Sequence, residues 1–328
     1  MGYKLGITDN EYIKLWNENP SVTSLSKILN INSRTVQRRL NALRDRGIKL
    51  CSPIPTSPYF DPGMRVGLSQ TIAHARARIK LKLDTGIILI GSDPHYWPGE
   101  ITTAHRAFVK FAAQIQPDVI VMNGDILDGA RISRWPRIGW DKTPTVKDEL
   151  ATCTERLREI REACKTAILI WTLGNHCARY ENRIAQLVPE YEGIHGFSLK
   201  DHFPDWTPCW SVKVNDELLI KHRYKSGMYH ARNDTLNAGC STCVGHLHDQ
   251  NIIRINDENG TRWGVDGGTM ADPYGPQFVN YTEDNPKSWK SGFVLITFVN
   301  KKMLRPELIE VYDEDDGIVD FRGTLVHV

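Results

Sequence analysis

Several absences narrow the field before any motif is considered. No stretch approaches the ~20 consecutive apolar residues of a membrane-spanning helix, and Met1-Gly2-Tyr3-Lys4 opens without the apolar core of a secretory signal. No membrane partner and a cytoplasmic location are therefore expected. Gly6 stands where a myristoylation start needs Ser or Thr, which removes that route too. The seven cysteines are odd in number and irregular in spacing, so reduced thiols are expected and a disulfide frame is not. Cys240-Ser241-Thr242-Cys243 has no second pair with which to build a structural zinc site. Repeats and low-complexity tracts are missing, and a net charge of +2 argues against a chain-wide polyelectrolyte partner.

What the chain does contain is a series of short apolar runs ending in hydrophilic residues. Ile87-Ile88-Leu89-Ile90 leads to Asp93 and His95, and Val119-Ile120-Val121 leads to Asp125. Ala167-Ile168-Leu169-Ile170 leads to Asn175 and His176, and the strand at 217–220 delivers His222. His246 and His248 follow Cys243-Val244. Continuous apolar runs closed by turn residues read as strands buried on both faces. Open α/β sheets place ligands beyond the carboxyl ends of such strands, so these side chains are expected to meet at one rim. Alternation in an extended segment is expected to put His246 and His248 on one side. Carboxylate, imidazole and amide donors in this number exceed one tetrahedral zinc. They suit two adjacent ions sharing a carboxylate, an arrangement that typically spaces its ions ~3.5–4 Å apart and drives in-line displacement at phosphorus.

Asp93-Pro94-His95, Gly124-Asp125, Gly174-Asn175-His176, His222 and Gly245-His246-Leu247-His248 resemble, in order and strand context, the five motifs of the calcineurin-like metallophosphoesterase superfamily. The resemblance covers roughly residues 86–300. It implies a two-sheet α/β sandwich flanked by helices, with metals at one edge. It implies one ion held by Asp93, His95, Asp125 and His248, and a second held by Asp125, Asn175, His222 and His246. His176 stays off the metals and protonates the leaving oxygen. The cofactors are two divalent ions: manganese is the first choice for oxygen and nitrogen donors, with iron and zinc the others. Three local features depart from common relatives or compete with the pattern. Gly129-Ala130 separates Asp128 from Arg131, which weighs against a protein phosphatase. Cys177 stands where many relatives have an acid, leaving Asp93 or Asp128 to orient His176. His230 competes with His222 as a ligand, and His222 is favoured because it directly follows an apolar strand.

Outside the motifs, the first fifty residues carry nine Lys and Arg against four Asp and Glu. Three helical stripes there, separated by short turns, resemble a helix-turn-helix, winged or not. Ser33, Arg34, Thr35, Gln37 and Arg38 take the positions that face base edges in such a motif, and Arg39, Arg44 and Lys49 the positions near phosphates. The alternative is a docking or dimerisation module. Residues 51–84, with four prolines between 53 and 62, read as a linker. Its basic run Arg76, Arg78, Lys80, Lys82 is read as a solvated edge strand or helix, or else as a strip tracking a nucleic-acid backbone. In the insertion at 129–146, Arg131, Arg134 and Trp135 are candidate substrate contacts, since guanidinium and indole together suit a phosphodiester with bases. The alternative there is a lid packed on the core. His105 is expected to be a partly exposed helix residue.

The expected organisation is a helix-turn-helix-like DNA-binding module over 1–50, a linker over 51–84 and a metallophosphoesterase domain over 85–328. The expected function is hydrolysis of phosphodiester bonds by a nuclease acting on DNA, encoded by a phage or prophage, with a homodimer left open. The rivals are a phosphatase or phosphodiesterase for small molecules or proteins, and a non-enzymatic DNA-binding regulator.

Overall fold

The computed structural model describes residues 7–18, 20–51, 69–74, 78–134, 140, 142–282, 285 and 287–328. Among these, two mixed sheets carry the chain. The larger has Gly86–Ser92, Val119–Asn123, Ile168–Thr172 and Thr207–Cys209 in parallel order. Gly292–Val299, Glu307–Asp313, Ile318–Phe321 and Thr324–His327 extend it antiparallel on the other side. The smaller runs Ser69–His74, Arg78–Lys82, Ser211–Val214, Leu218–Ile220, Ser241–Val244, Gly260–Asp266, Asn251–Asp257. This is the mixed α/β sandwich expected from the sequence.

The uninterrupted apolar runs are explained by two cores, one on each face of the larger sheet. Ile88, Ile90, Val119, Val121 and Ile170 point toward Val212, Val214, Ile220 and Val265 of the smaller sheet. Their neighbours Ile87, Leu89, Ile120, Met122, Leu169 and Trp171 point the other way. There they meet Phe108 and Phe111 of the helix Thr103–Ile115, and Leu150, Leu157 and Ile160 of the helix Val146–Ala163. Successive strand residues face opposite ways, so a strand covered on both faces has no polar phase. Thr102 caps the first of these helices through the His105 N–H, and Thr145 with Asp148 forms a capping box on the second. His105 is not part-exposed: it is buried between the Tyr96 hydroxyl (3.0 Å) and Glu159 (2.7 Å).

The N-terminal helices Asp9–Glu18, Val22–Ile28 and Ser33–Asp45 enclose a core of their own, from Tyr12, Trp16, Leu25, Val36, Leu40, Leu43 and Leu50. Ser21 and Asn32 cap the second and third helices. No strand follows over residues 46–51, so no wing is seen there. The stretch read as a linker is partly sheet. Ile79, Leu81 and Leu83 are buried, and Arg78–Lys82 pairs parallel with Ser211–Val214 while Ser69–His74 pairs with it from outside. Arg78-Ile79-Lys80-Leu81-Lys82 has the period of two of a half-buried strand, with the cations on the wet face. Arg76 and residues 52–68 lie outside the described residues.

Candidate metal centre

The hydrophilic residues at the strand ends do meet. Asp93, His95 and His248 bring ligand atoms within 4.8 Å of one another, and Asp125, His222 and His246 do the same. Asp125 also falls in a third such group with His95 and His176, so it lies between the first two. Asn175 offers its side-chain oxygen 3.3 Å from His222 Nε2, and His222 Nε2 lies 3.1 Å from Asp125 Oδ2. His222 Nδ1 donates to the Asn123 carbonyl at 2.9 Å, which turns Nε2 toward the cluster. His230 is elsewhere: its Nε2 meets Asp266 at 2.7 Å.

The backbone that makes this convergence is unusual. Asp93, His95, Asp125, His246 and His248 have φ of 51°, 39°, 45°, 74° and 61°, five of the twelve described non-glycine residues with positive φ. Such conformations cost ~1–3 kcal/mol each and persist where the surroundings over-determine them. His246 and His248 are therefore not related by strand alternation. Two left-handed residues send one imidazole toward His222, ring centroids 5.4 Å apart, and the other toward Asp93, with Nε2 3.2 Å from Oδ1. Close approach completes the frame. A Cβ on Gly124 would sit 2.2 Å from His222 Nδ1, and one on Gly245 2.3 Å from Asp93 Oδ2.

His176 is oriented by Asp128. Its Nδ1 lies 2.9 Å from the Asp128 carbonyl and 3.1 Å from the carboxylate, and the same carboxylate oxygen lies 3.0 Å from His95 Nδ1. Cys177 is buried and accepts from the Ile126 N–H, so it has no part in orienting His176. Arg179 donates to the Asp128 carbonyl at 2.9 Å and approaches His176 Nε2 at 3.0 Å.

The sequence model of the calcineurin-like phosphoesterase family matches residues 87–262, more than half of the chain. The chain belongs to that family. It is also similar to the Gene 54 protein of Mycobacterium phage L5, 23% identical over 227 residues, 63% of this chain and 86% of the relative. The Gene 54 protein of Mycobacterium phage D29 is 25% identical over 236 residues, with the same coverage. Solved structures superpose loosely. Vps29 complexed with zinc from Entamoeba histolytica gives a TM-score of 0.38 at 11% identity, covering 71% of this chain and 96% of that one. A serine/threonine phosphatase from Saccharomyces cerevisiae gives 0.33 at 10% identity, covering 70% and 81%.

The electrostatics of this phosphoesterase suit cations. Burial pushes the Asp125 carboxyl up, but His222, His176 and His95 outweigh it and leave it well below the usual carboxylate range. Asp93 is likewise lowered, burial being outweighed by His222 and His248. His222 is held up at about 9, because Asp125 and Asp93 overcome the effect of burial. His246 falls to about 4 through burial and the charge on His222. Two ionised carboxylates in a nearly dry pocket, ringed by imidazoles, form a fitting oxygen and nitrogen donor set for divalent metal. Among the described residues the buried Nδ1 of His248 has no hydrogen-bond partner, leaving a further nitrogen uncommitted there.

Beside Asn175 lies a cleft of about 370 Å³ lined by Ile132, Arg134, Asn175, Arg179, Asn182, Arg183, Gln186 and Arg223. Of the three expected substrate contacts in the insertion, Arg134 reaches this cleft. Arg131 does not: its guanidinium holds the Thr143 carbonyl at 3.1 and 2.9 Å, bracing its own loop. Trp135 lies outside the described residues. Arg183 and Arg223 were not singled out from sequence, though Arg179, Asn182, Arg183 and Gln186 share one helix face at i, i+3, i+4 and i+7. Phe278 and Trp289, which pack against His95 and His248, come from irregular segments with no periodic signal.

Proposed function

We propose that this metal-dependent phosphoesterase is a nuclease that hydrolyses phosphodiester bonds of DNA. The observation that carries the reading is a run of metal-ligand groups, Asp93, His95 and His248 at one end and Asp125, His222 and His246 at the other, with Asp125 also close to His95, beside a cleft lined by four arginines. Asp93, His95, Asp125 and His248 would hold one divalent ion, and Asp125, Asn175, His222 and His246 a second. Manganese is the metal proposed. When bound, such a pair lowers the pKa of water and takes up charge on phosphoryl oxygens.

The chain's own residues supply the rest. His176 Nε2 is the proton donor to the leaving oxygen, and its opposite nitrogen is fixed by Asp128, which keeps the ring aimed. Burial lowers the His176 pKa, but Asp125 and Asp128 outweigh it and raise it, favouring the protonated form an acid needs. Arg179 stands at that nitrogen in the resting geometry, so its guanidinium turns to the incoming phosphoryl group before His176 donates.

The N-terminal module supports DNA as the partner. Arg34, Gln37 and Arg38 are exposed on the third helix, on the side away from Val36, Leu40 and Leu43, with Ser33 also exposed and Thr35 half-buried. Two of the expected phosphate contacts have other commitments: Arg39 pairs with Asp9 at 2.8 Å, and Lys49 meets Asp316 at 3.4 Å. The likeness to two mycobacteriophage proteins supports a phage or prophage origin. No helix among the described residues is long and apolar enough to cross a membrane. The test is hydrolysis of a fluorescent duplex, a single strand and bis-p-nitrophenyl phosphate by manganese-loaded protein. Cleavage of DNA and the small ester is expected; turnover of the small ester alone contradicts the nuclease.

A further inference from the structure

Next to Asp128 the chain buries a carboxyl group that belongs to none of the metal-ligand groups. Glu149 sits in the first turn of the helix Val146–Ala163 and is 0% exposed. Leu150, Cys153, Leu157 and Ile160 are buried on the same helix, and an apolar side chain would suit that setting better. A carboxyl group taken out of water needs a hydrogen-bond partner. Glu149 finds it in the main chain, where Oε2 accepts from the Gly129 N–H at 2.6 Å. Among the described residues Oε1 has no hydrogen-bond partner, so the hydrogen bonding of this carboxyl runs to the turn that follows Asp128.

What that hydrogen bond fixes is one peptide unit. The peptide between Asp128 and Gly129 is trans and planar, so its N–H and its C=O point in opposite directions. With the N–H held by Glu149, the Asp128 carbonyl faces the other way, where it meets His176 Nδ1 at 2.9 Å and Arg179 Nη1 at 2.9 Å. A carbonyl oxygen has two lone pairs and serves both. Accepting at the N–H also polarises the amide, which strengthens its carbonyl as an acceptor. His176 Nδ1 has a second neighbour, the Asp128 carboxylate oxygen at 3.1 Å, but His95 Nδ1 lies 3.0 Å from that same oxygen. The carbonyl is the closer of the two, and its direction is set by the backbone. Burial pushes the Glu149 carboxyl up to about 7, with the Gly129 N–H acting against burial. Ionised or protonated, the group keeps an oxygen able to accept.

We infer that Glu149 is a positioning residue for the hydrolytic reaction: through the Asp128–Gly129 peptide it aims His176, so that Nε2 faces the leaving oxygen. This rests on the proton-donor role proposed for His176 and is independent of whether the substrate is DNA. Loss of the Glu149 oxygen should leave metal binding intact and weaken proton transfer.

The test uses manganese-loaded full chain and two diesters. Bis-p-nitrophenyl phosphate releases a stable anion and has little need of a proton donor; diphenyl phosphate needs one more. Glu149→Leu fills similar space and removes the acceptor. Its kcat on diphenyl phosphate should fall roughly 10–10²-fold, the scale of a misplaced catalytic group, with KM unchanged and little effect on bis-p-nitrophenyl phosphate. Glu149→Gln keeps an accepting oxygen and should restore wild-type rates on both esters. In a His176→Ala background Glu149→Leu should cost nothing more, since the two act as a unit. Manganese content and thermal melt verify each variant, and Glu149→Met, equally without an oxygen, serves where Glu149→Leu does not fold. Equal loss on both esters overturns the positioning role, as does a loss in Glu149→Gln matching that in Glu149→Leu, or additive loss in the double variant. Failure of the underlying reading shows separately, as wild-type turnover of diphenyl phosphate by His176→Ala.

Discussion

The metal rim and the N-terminal helices achieve their arrangements by opposite means. In the helices, ordinary caps and an ordinary apolar stripe fix the backbone, and the exposed side chains are simply what remains outside. At the rim the backbone itself is forced: five of the candidate ligands sit at positive φ, and two glycines admit side chains where a Cβ would collide. Strain of that kind is held in place by the two cores beneath it. A substitution among the helices should therefore change what the surface touches, and one at the rim should change whether the site exists.

The largest effect expected from that contrast is at Asp125. Asp125→Ala removes the carboxylate that both proposed ions share, so metal loading and hydrolysis should fall together, turnover on the order of 10³-fold or more. Metal analysis beside a rate assay checks this, and full loading in the variant would break the contrast. Next is His176→Ala, which should keep the metal and lose ~10²–10⁴-fold in kcat. Retained turnover would remove His176 from proton transfer.

A smaller effect is expected from pH. In the metal-free protein His222 titrates at about 9, above its unfolded value, so its pairing with Asp125 stabilises fully below about pH 6.5 and is lost as pH rises toward 9. The melting temperature of chelated protein should fall through that window. Metal affinity should rise over the same window, because binding displaces the His222 proton. A melting temperature that climbs from pH 6.5 to 9 would contradict the pairing. The smallest effect is at the other end of the comparison. Arg34→Ala and Arg38→Ala should weaken duplex binding and lower its salt slope by ~0.9 for each contact. Duplex affinity and slope equal to wild type would make the module a docking unit.

The order of the motifs made the metal side chains legible because each lies just beyond a buried strand, and buried strands announce themselves by apolar runs. The geometry that joins them was not legible. Nothing in Gly245-His246-Leu247-His248 signals two left-handed residues, and alternation suggested an extended segment. The strand Arg78–Lys82 was hidden by its own cations, since the alternating charge masks the buried Ile79 and Leu81. Asp128 was visible as one of two orienters for His176 once Cys177 stood in the acid's place. Phe278 and Trp289 reach the site from irregular chain, where period carries no information.

The central claim is that Asp125 lies between two cations. Anomalous diffraction from a crystal soaked in manganese tests it most directly. Two peaks are expected, ~3.5–4 Å apart, with Asp125 bound to both, His95 and His248 on one, and His222 and His246 on the other. A lone peak, or a pair that leaves Asp125 unbound, would contradict it.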